Sequence, residues 1–160
     1  EMSRCLVGSE MCIRDSATSF QQPRWFDLDN FSGNPRIITW IANTKDILDL
    51  LPKVWNNPGE ITKLSRDDLE WDFTVPKKGK MPMDGAAPAL IKWGSTRHPT
   101  FKMIDHNCRL ERFVVNTPFA EELAPILNKI LFDPRVEVNF SRCLSFEAHI
   151  LTPKGKVVLE

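Results

Sequence analysis

Three histidines and a pair of tryptophans on one predicted hairpin are the side chains of this 160-residue chain best placed to do chemistry. His98 precedes Pro99, which holds its backbone extended and lets the ring project from a loop. There it would serve as a polar contact or proton donor at the mouth of a pocket. The plainer alternative is a loop anchor bonded to nearby backbone. His106 lies two residues before Cys108, and a Cys-His pair could raise a thiolate nucleophile. Residues two apart at a strand entry seldom meet, however, and no third group is at hand to orient them. His149 stands alone on a predicted strand and reads as structural. Trp71 and Trp93 either line an apolar small-molecule cup, with Lys92 or Asp72 as its polar handle, or pack a core. Asp84-Gly85 reads as turn chemistry. Only seven glycines are present, with no GxGxxG and no P-loop, so a glycine cradle for nucleotide phosphate is not expected.

The elements that must hold these residues are legible in order. RIITWIANT (36–44) is a β-branched and aromatic run of strand length. TKDILDLLPKVW (44–55) spaces Ile47, Leu48, Leu50 and Leu51 as a helix, with Thr44 as its N-cap and Pro52 as its end or kink. A short strand is expected over 61–64. LEWDFTV (69–75) alternates apolar and polar residues without a break, the signature of a strand with one wet face. ALIKW (89–93) is the next strand. After a loop over 94–107, CRLERFVV (108–115) reads as a strand. FAEELAPILNKIL (119–131) reads as a helix with Thr117 as N-cap and Pro118 at its first position. Strands follow at 136–140, 144–151 and 156–159.

Each half therefore reads β-α-β-β-β. IANT (41–44) and VVNT (114–117) precede the two helices, and LEWDFTVPKKGK (69–80) parallels LSFEAHILTPKGK (144–156). The Pro-Lys-(Lys)-Gly-Lys stretch in both suits a reverse turn with Pro second and Gly last. The fold expected is α+β: tandem βαβββ modules over 36–93 and 108–160, with mixed curved sheets and one helix per module. PRWFDLDNFSGNP (23–35) reads as an extended linker.

Composition narrows the function classes. Lys+Arg and Asp+Glu both number 21, so no net charge favours nucleic acid or an anionic membrane, and neither is expected as a partner. No apolar run reaches the roughly 18–20 residues that span a bilayer. Cys5, Cys12, Cys108 and Cys143 lack CxxC spacing and read as incidental thiols of a reducing cytosol, so a cytoplasmic location is expected. Residues 2–16, MSRCLVGSEMCIRDS, have no element periodicity and no apolar core of a signal peptide; 1–22 reads as adaptor-derived sequence outside the fold.

The chain resembles the glyoxalase-like domain proteins of the vicinal oxygen chelate superfamily, which are built on tandem βαβββ pairs. The residues that carry the resemblance are PRWFDLD (23–29), LEWDFTVP (69–76), the Met-Pro-x-Asp-Gly of 81–85, ALIKWGSTRHPT (89–100) and TPKGKVVL (152–159). It implies a small oxygenated metabolite as substrate or ligand. It also implies a further module upstream of the linker that would hold any metal ligands, making this chain a fragment. Within the two modules seen, the family's ligand slots fall on Thr39, Lys92, Arg112 and Leu159, or one residue over on Ile38, Ile91, Phe113 and Val158. None is a His or a carboxylate, so neither a metal nor another cofactor is expected here. The cations Lys92 and Arg112 suit an anionic small molecule instead. The expected ligand contacts are Trp71, Lys92, Trp93, His98 and Arg112, and no residue is singled out as catalytic.

Overall fold

A computed structural model describes residues 23–94 and 98–160. Its elements are β1 (Ile41–Asn43), α1 (Ile47–Leu50), β2 (Glu60–Arg66), β3 (Leu69–Val75), β4 (Ala89–Trp93), β5 (Arg109–Thr117), α2 (Ala120–Ile130), β6 (Val136–Phe140), β7 (Ser145–Thr152) and β8 (Gly155–Leu159). The fold is α+β, with two four-stranded mixed sheets and the βαβββ element order in each half. The expected adaptor segment, 1–22, lies outside the described residues.

In the first sheet the strands run in the order β1-β4-β3-β2, with β1 parallel to β4 and the other pairs antiparallel. In the second the order is β6-β5-β7-β8, with β6 parallel to β5. Between the sheets and α2 lies the main core. Phe113 there stacks on Phe146 at 5.8 Å between ring centroids and meets Trp40 at 5.4 Å. Leu123 and Leu127 of α2 and Leu90 of β4 close around them.

Local differences from the predicted elements have identifiable causes. The expected strand 36–44 forms ladder pairs only over Ile41–Asn43, because the segment crosses from one sheet to the other. Ile37 N–H donates to the Glu160 carbonyl beside β8, while the Trp40 carbonyl accepts from Ala89 N–H at the start of β4. Helix 44–55 shrinks to α1, since Pro52 supplies no N–H and converts the chain to a 3-10 turn over Leu51–Lys53. Its cap is Asp46, whose carboxylate accepts from Asp49 N–H, and Thr44 caps Asp46 in turn. Thr117 likewise accepts from Phe119 N–H, two residues ahead of its expected helix start.

The two proline-lysine turns also differ. Thr152 to Gly155 is the expected reverse turn, with Pro153 second and Gly155 last. In the first half the extra lysine puts Pro76 first, its carbonyl accepting from Gly79 N–H. Gly79 must be glycine: at φ +72 an added Cβ would collide with the Arg24 carbonyl. That contact belongs to the expected linker, which packs rather than spans. Asp27 N–H donates to the Gly79 carbonyl, and Trp25 and Phe26 lie against Phe73 on the outer face of the first sheet. Among the described residues no helix is long and apolar enough to cross a membrane.

Candidate functional site

The second sheet has one face against α2 and the core, and one that carries polar side chains. Strand β5 supplies the key departure from regular alternation. Leu110 and Phe113 both belong to the core side, which residues three apart cannot share on a regular strand. A bulge at Glu111 absorbs the extra residue: Leu110 pairs with Ile150, and Arg112 already with His149. The bulge turns Arg112 onto the polar face, beside Asn116 of the same strand, Glu137 of β6, and Glu147 and His149 of β7.

These side chains form two linked groups. Arg112 donates Nε and Nη2 to the two oxygens of Glu137, at 2.8 and 2.7 Å, the bidentate geometry of guanidinium and carboxylate. This bond holds the Glu137 carboxyl below its usual range and raises the Arg112 guanidinium further. On the other side of Arg112, the Glu147 carboxylate lies 3.1 Å from His149 Nε2 through one oxygen. Through its other oxygen it accepts from Asn116 Nδ2 at 3.4 Å, and the same amide donates to Ser145 Oγ at 3.2 Å. An ionised Glu147 can only accept, so in the neutral form of the ring it favours the tautomer with the proton on Nε2 and a lone pair on Nδ1. The carboxylate thus fixes both the tautomer and the tilt of the ring. A carboxylate-held imidazole beside a guanidinium can exchange a proton with a molecule whose oxygen the guanidinium grips.

Of the residues expected at the site, Trp71, Trp93 and His98 come together. Trp71 and Trp93 are direct cross-strand partners with ring centroids 5.5 Å apart, and the His98 ring meets Trp93 edge-on at 5.3 Å. His98 Nδ1 is engaged by the hydroxyl and the N–H of Thr100, which caps the 3-10 turn Pro99–Phe101. Lys92 does not join them. It neighbours Trp93 on one strand, so the pleat sends it to the opposite face, across from Asp72. Arg112 lies on the other sheet. Glu137, Glu147 and His149 were missed as a group. The Glu-x-His spacing of SFEAHI, which places both on one strand face, was the available signal.

The resemblance assigns metal ligands to the first and last strands of a module. In the second sheet β7 separates β5 from β8, so Arg112 meets His149, and Val158 lies one strand further out. The four slots offer one hydroxyl (Thr39), two cations and an alkyl chain, a donor set that does not fit a divalent ion. The Thr39 hydroxyl is buried with no hydrogen-bond partner among the described residues. Among the described residues no group of three His, Cys, Asp or Glu side chains could hold a metal.

Comparison with known proteins gives one finding. A family model described as a glyoxalase-like domain matches residues 11–131. The match ends directly after α2, with β6–β8 beyond it. No curated protein and no solved structure matches the chain.

Proposed function

The chain belongs to the glyoxalase-like domain family, and from that premise we propose that it binds a small oxygenated metabolite on the polar face of the second sheet. The observation that carries this reading is the double engagement of Glu147, by His149 on one oxygen and Asn116 on the other, one strand away from Arg112. Arg112 keeps Nη1 beyond its bond to Glu137, a donor for a carboxylate or enolate oxygen. His149 Nδ1 then accepts a proton from the carbon α to the carbonyl whose oxygen Arg112 holds, the C–H electron pair passing onto that oxygen as the enolate, and Glu147 steadies the imidazolium formed.

Pyruvate is a suitable probe, with one carboxylate and exchangeable methyl protons. NMR titration should move the Arg112 Nε–H and His149 ring resonances, and Arg112→Gln should weaken binding about tenfold. In D2O the protein should speed deuterium entry into the pyruvate methyl group, and His149→Gln should remove that acceleration while leaving binding in place. Unmoved Arg112 and His149 resonances at high pyruvate would sink the reading.

A second reading rests on the row Trp71, Trp93 and His98, whose aromatic faces suit an apolar ring better than an anion. Lys92, on the opposite face, would contact a different molecule from the one these rings hold.

A further inference from the structure

A cleft of about 850 Å³ opens at the other end of the first sheet, between the chain leading into β2, the β3–β4 loop and the start of α2. Trp55 stands in its wall, 2% exposed, and its indole N–H meets no acceptor among the described residues. A buried donor without a partner is rare in folded proteins, because nothing repays the lost bond to water. Three lysines of the turn after β3 line the same cleft. Lys77 pairs with Glu60 at 2.8 Å and Lys80 with Asp84 at 2.7 Å. Lys78 has no anionic partner among the described residues. Met81, Pro82 and Met83 give the cleft an apolar wall.

We propose that this cleft binds a small molecule with an apolar body and a terminal carboxylate, which supplies Trp55 with an acceptor and Lys78 with a counter-charge. The indole nitrogen has almost no exposed surface, so the wall must part slightly as the carboxylate seats. The wall is built for that. Asn57, Met83 and Asp84 all hold left-handed backbone, at φ +55, +52 and +55, and Met pays most for it because its side chain gains nothing from that conformation. A shift of this turn relieves strain rather than adding it. Glu122 of α2, the remaining carboxylate of the wall, sets the limit on charge: one anionic group is accommodated, at the lysine side.

The site is separate from the polar face of the second sheet, and the experiment tells the two apart. Benzoate is the probe, with benzyl alcohol as its uncharged counterpart, followed through the indole N–H resonances of the intact chain. Trp55→Phe identifies the Trp55 resonance by its disappearance. Benzoate should move that resonance, benzyl alcohol should not, and Lys78→Gln should raise the benzoate Kd about tenfold with an unchanged melting temperature. Arg112→Gln should leave the benzoate response intact. A Trp55 resonance unmoved by benzoate overturns the proposal, as does undiminished binding in Lys78→Gln or a response that disappears in Arg112→Gln.

Discussion

The two halves of the chain share an element order and differ in how the strands pair. In the first, β1 contributes three residues and lies at the edge, against the last strand, β4. In the second, β5 contributes nine and lies in the middle, between β6 and β7. The connections explain the difference. A two-residue turn, Asp67-Asp68, folds β2 straight back on β3. The eleven-residue α2 returns the chain parallel to β5 and directly beside it. The connection through the four-residue α1 instead carries the chain past β4 and β3 to the far edge, where β2 also runs parallel to β1. β6 then takes the place beside β5, and β7 must pair on its far side. What moves with this is the site. First and last strands are neighbours in one sheet and separated in the other, so the same sequence position has different company.

A chain whose weight rests on β5 should be most sensitive there. Phe113 is fully buried between Trp40 and Phe146, on elements fixed by both sheets. Phe113→Ala is expected to cost about 3–5 kcal/mol by urea denaturation. Phe73 of β3 is equally buried, but its partners Trp25 and Phe26 belong to a peripheral segment that can settle into the gap. Phe73→Ala should cost less. The reverse order would show that the first sheet, not the second, anchors the fold.

The hairpin turns separate the halves more finely. Gly155 holds φ +117, and an added Cβ would meet nothing within 4 Å, so Gly155→Ala tests backbone strain alone. It should cost about 1–2 kcal/mol. Asp67 holds φ +54 in the two-residue turn between β2 and β3 of the first half, where glycine would relieve strain. Asp67→Gly should therefore be neutral or stabilising by about 0.5 kcal/mol, glycine's extra chain entropy offsetting part of the gain. Opposite signs in the two turns are the expected result from thermal melts.

The α2–β6 connection carries a pH dependence that its counterpart over 56–59, Asn-Asn-Pro-Gly, cannot. Asp133 is 12% exposed and bonds the Arg135 guanidinium, which holds its carboxyl below the usual carboxylate range. A folded-state value below the unfolded one, about 3.9, adds stability above that unfolded value. The gain is lost as pH falls through the folded value. Asp133→Asn should cost about 1 kcal/mol near neutral pH. The wild type and the variant should converge in stability once the pH has fallen through the folded-state value of Asp133.

Much of this architecture could be read from the chain, because alternation and helical spacing are local. β3, β4 and β6 begin and end where their residue patterns do. Pairing order was out of reach, since it depends on which strand a crossover returns to. The parallel between LEWDFTVPKKGK and LSFEAHILTPKGK points to two modules of one element order, which the structure has, and says nothing of how each module pairs its strands. The site suffered most: counting slots from the first and last strands led to Arg112 but past its neighbours. Glu137 reaches it by strand order, and His149 by a bulge that no spacing rule marks. Grouping Lys92 with Trp93 was an error of a different kind, because alternation alone already puts consecutive strand residues on opposite faces.

The smallest expected effect is also the most direct check on strand order. Glu137 is held below its usual carboxyl range chiefly by the Arg112 bond, which requires β6 to lie against β5. Both side chains are about half exposed, so the pair should matter little to stability. Its signature is in titration. Arg112→Gln should let the Glu137 carboxyl rise toward the ordinary glutamate range, as followed by carboxyl-carbon NMR. Had the second half paired as the first does, its first and second strands would occupy opposite edges, with two strands and roughly 14 Å between them. Glu137 would then not respond to residue 112 at all. An unmoved Glu137 titration would thus break the contrast between the two sheets at its origin, whatever the ligand proves to be.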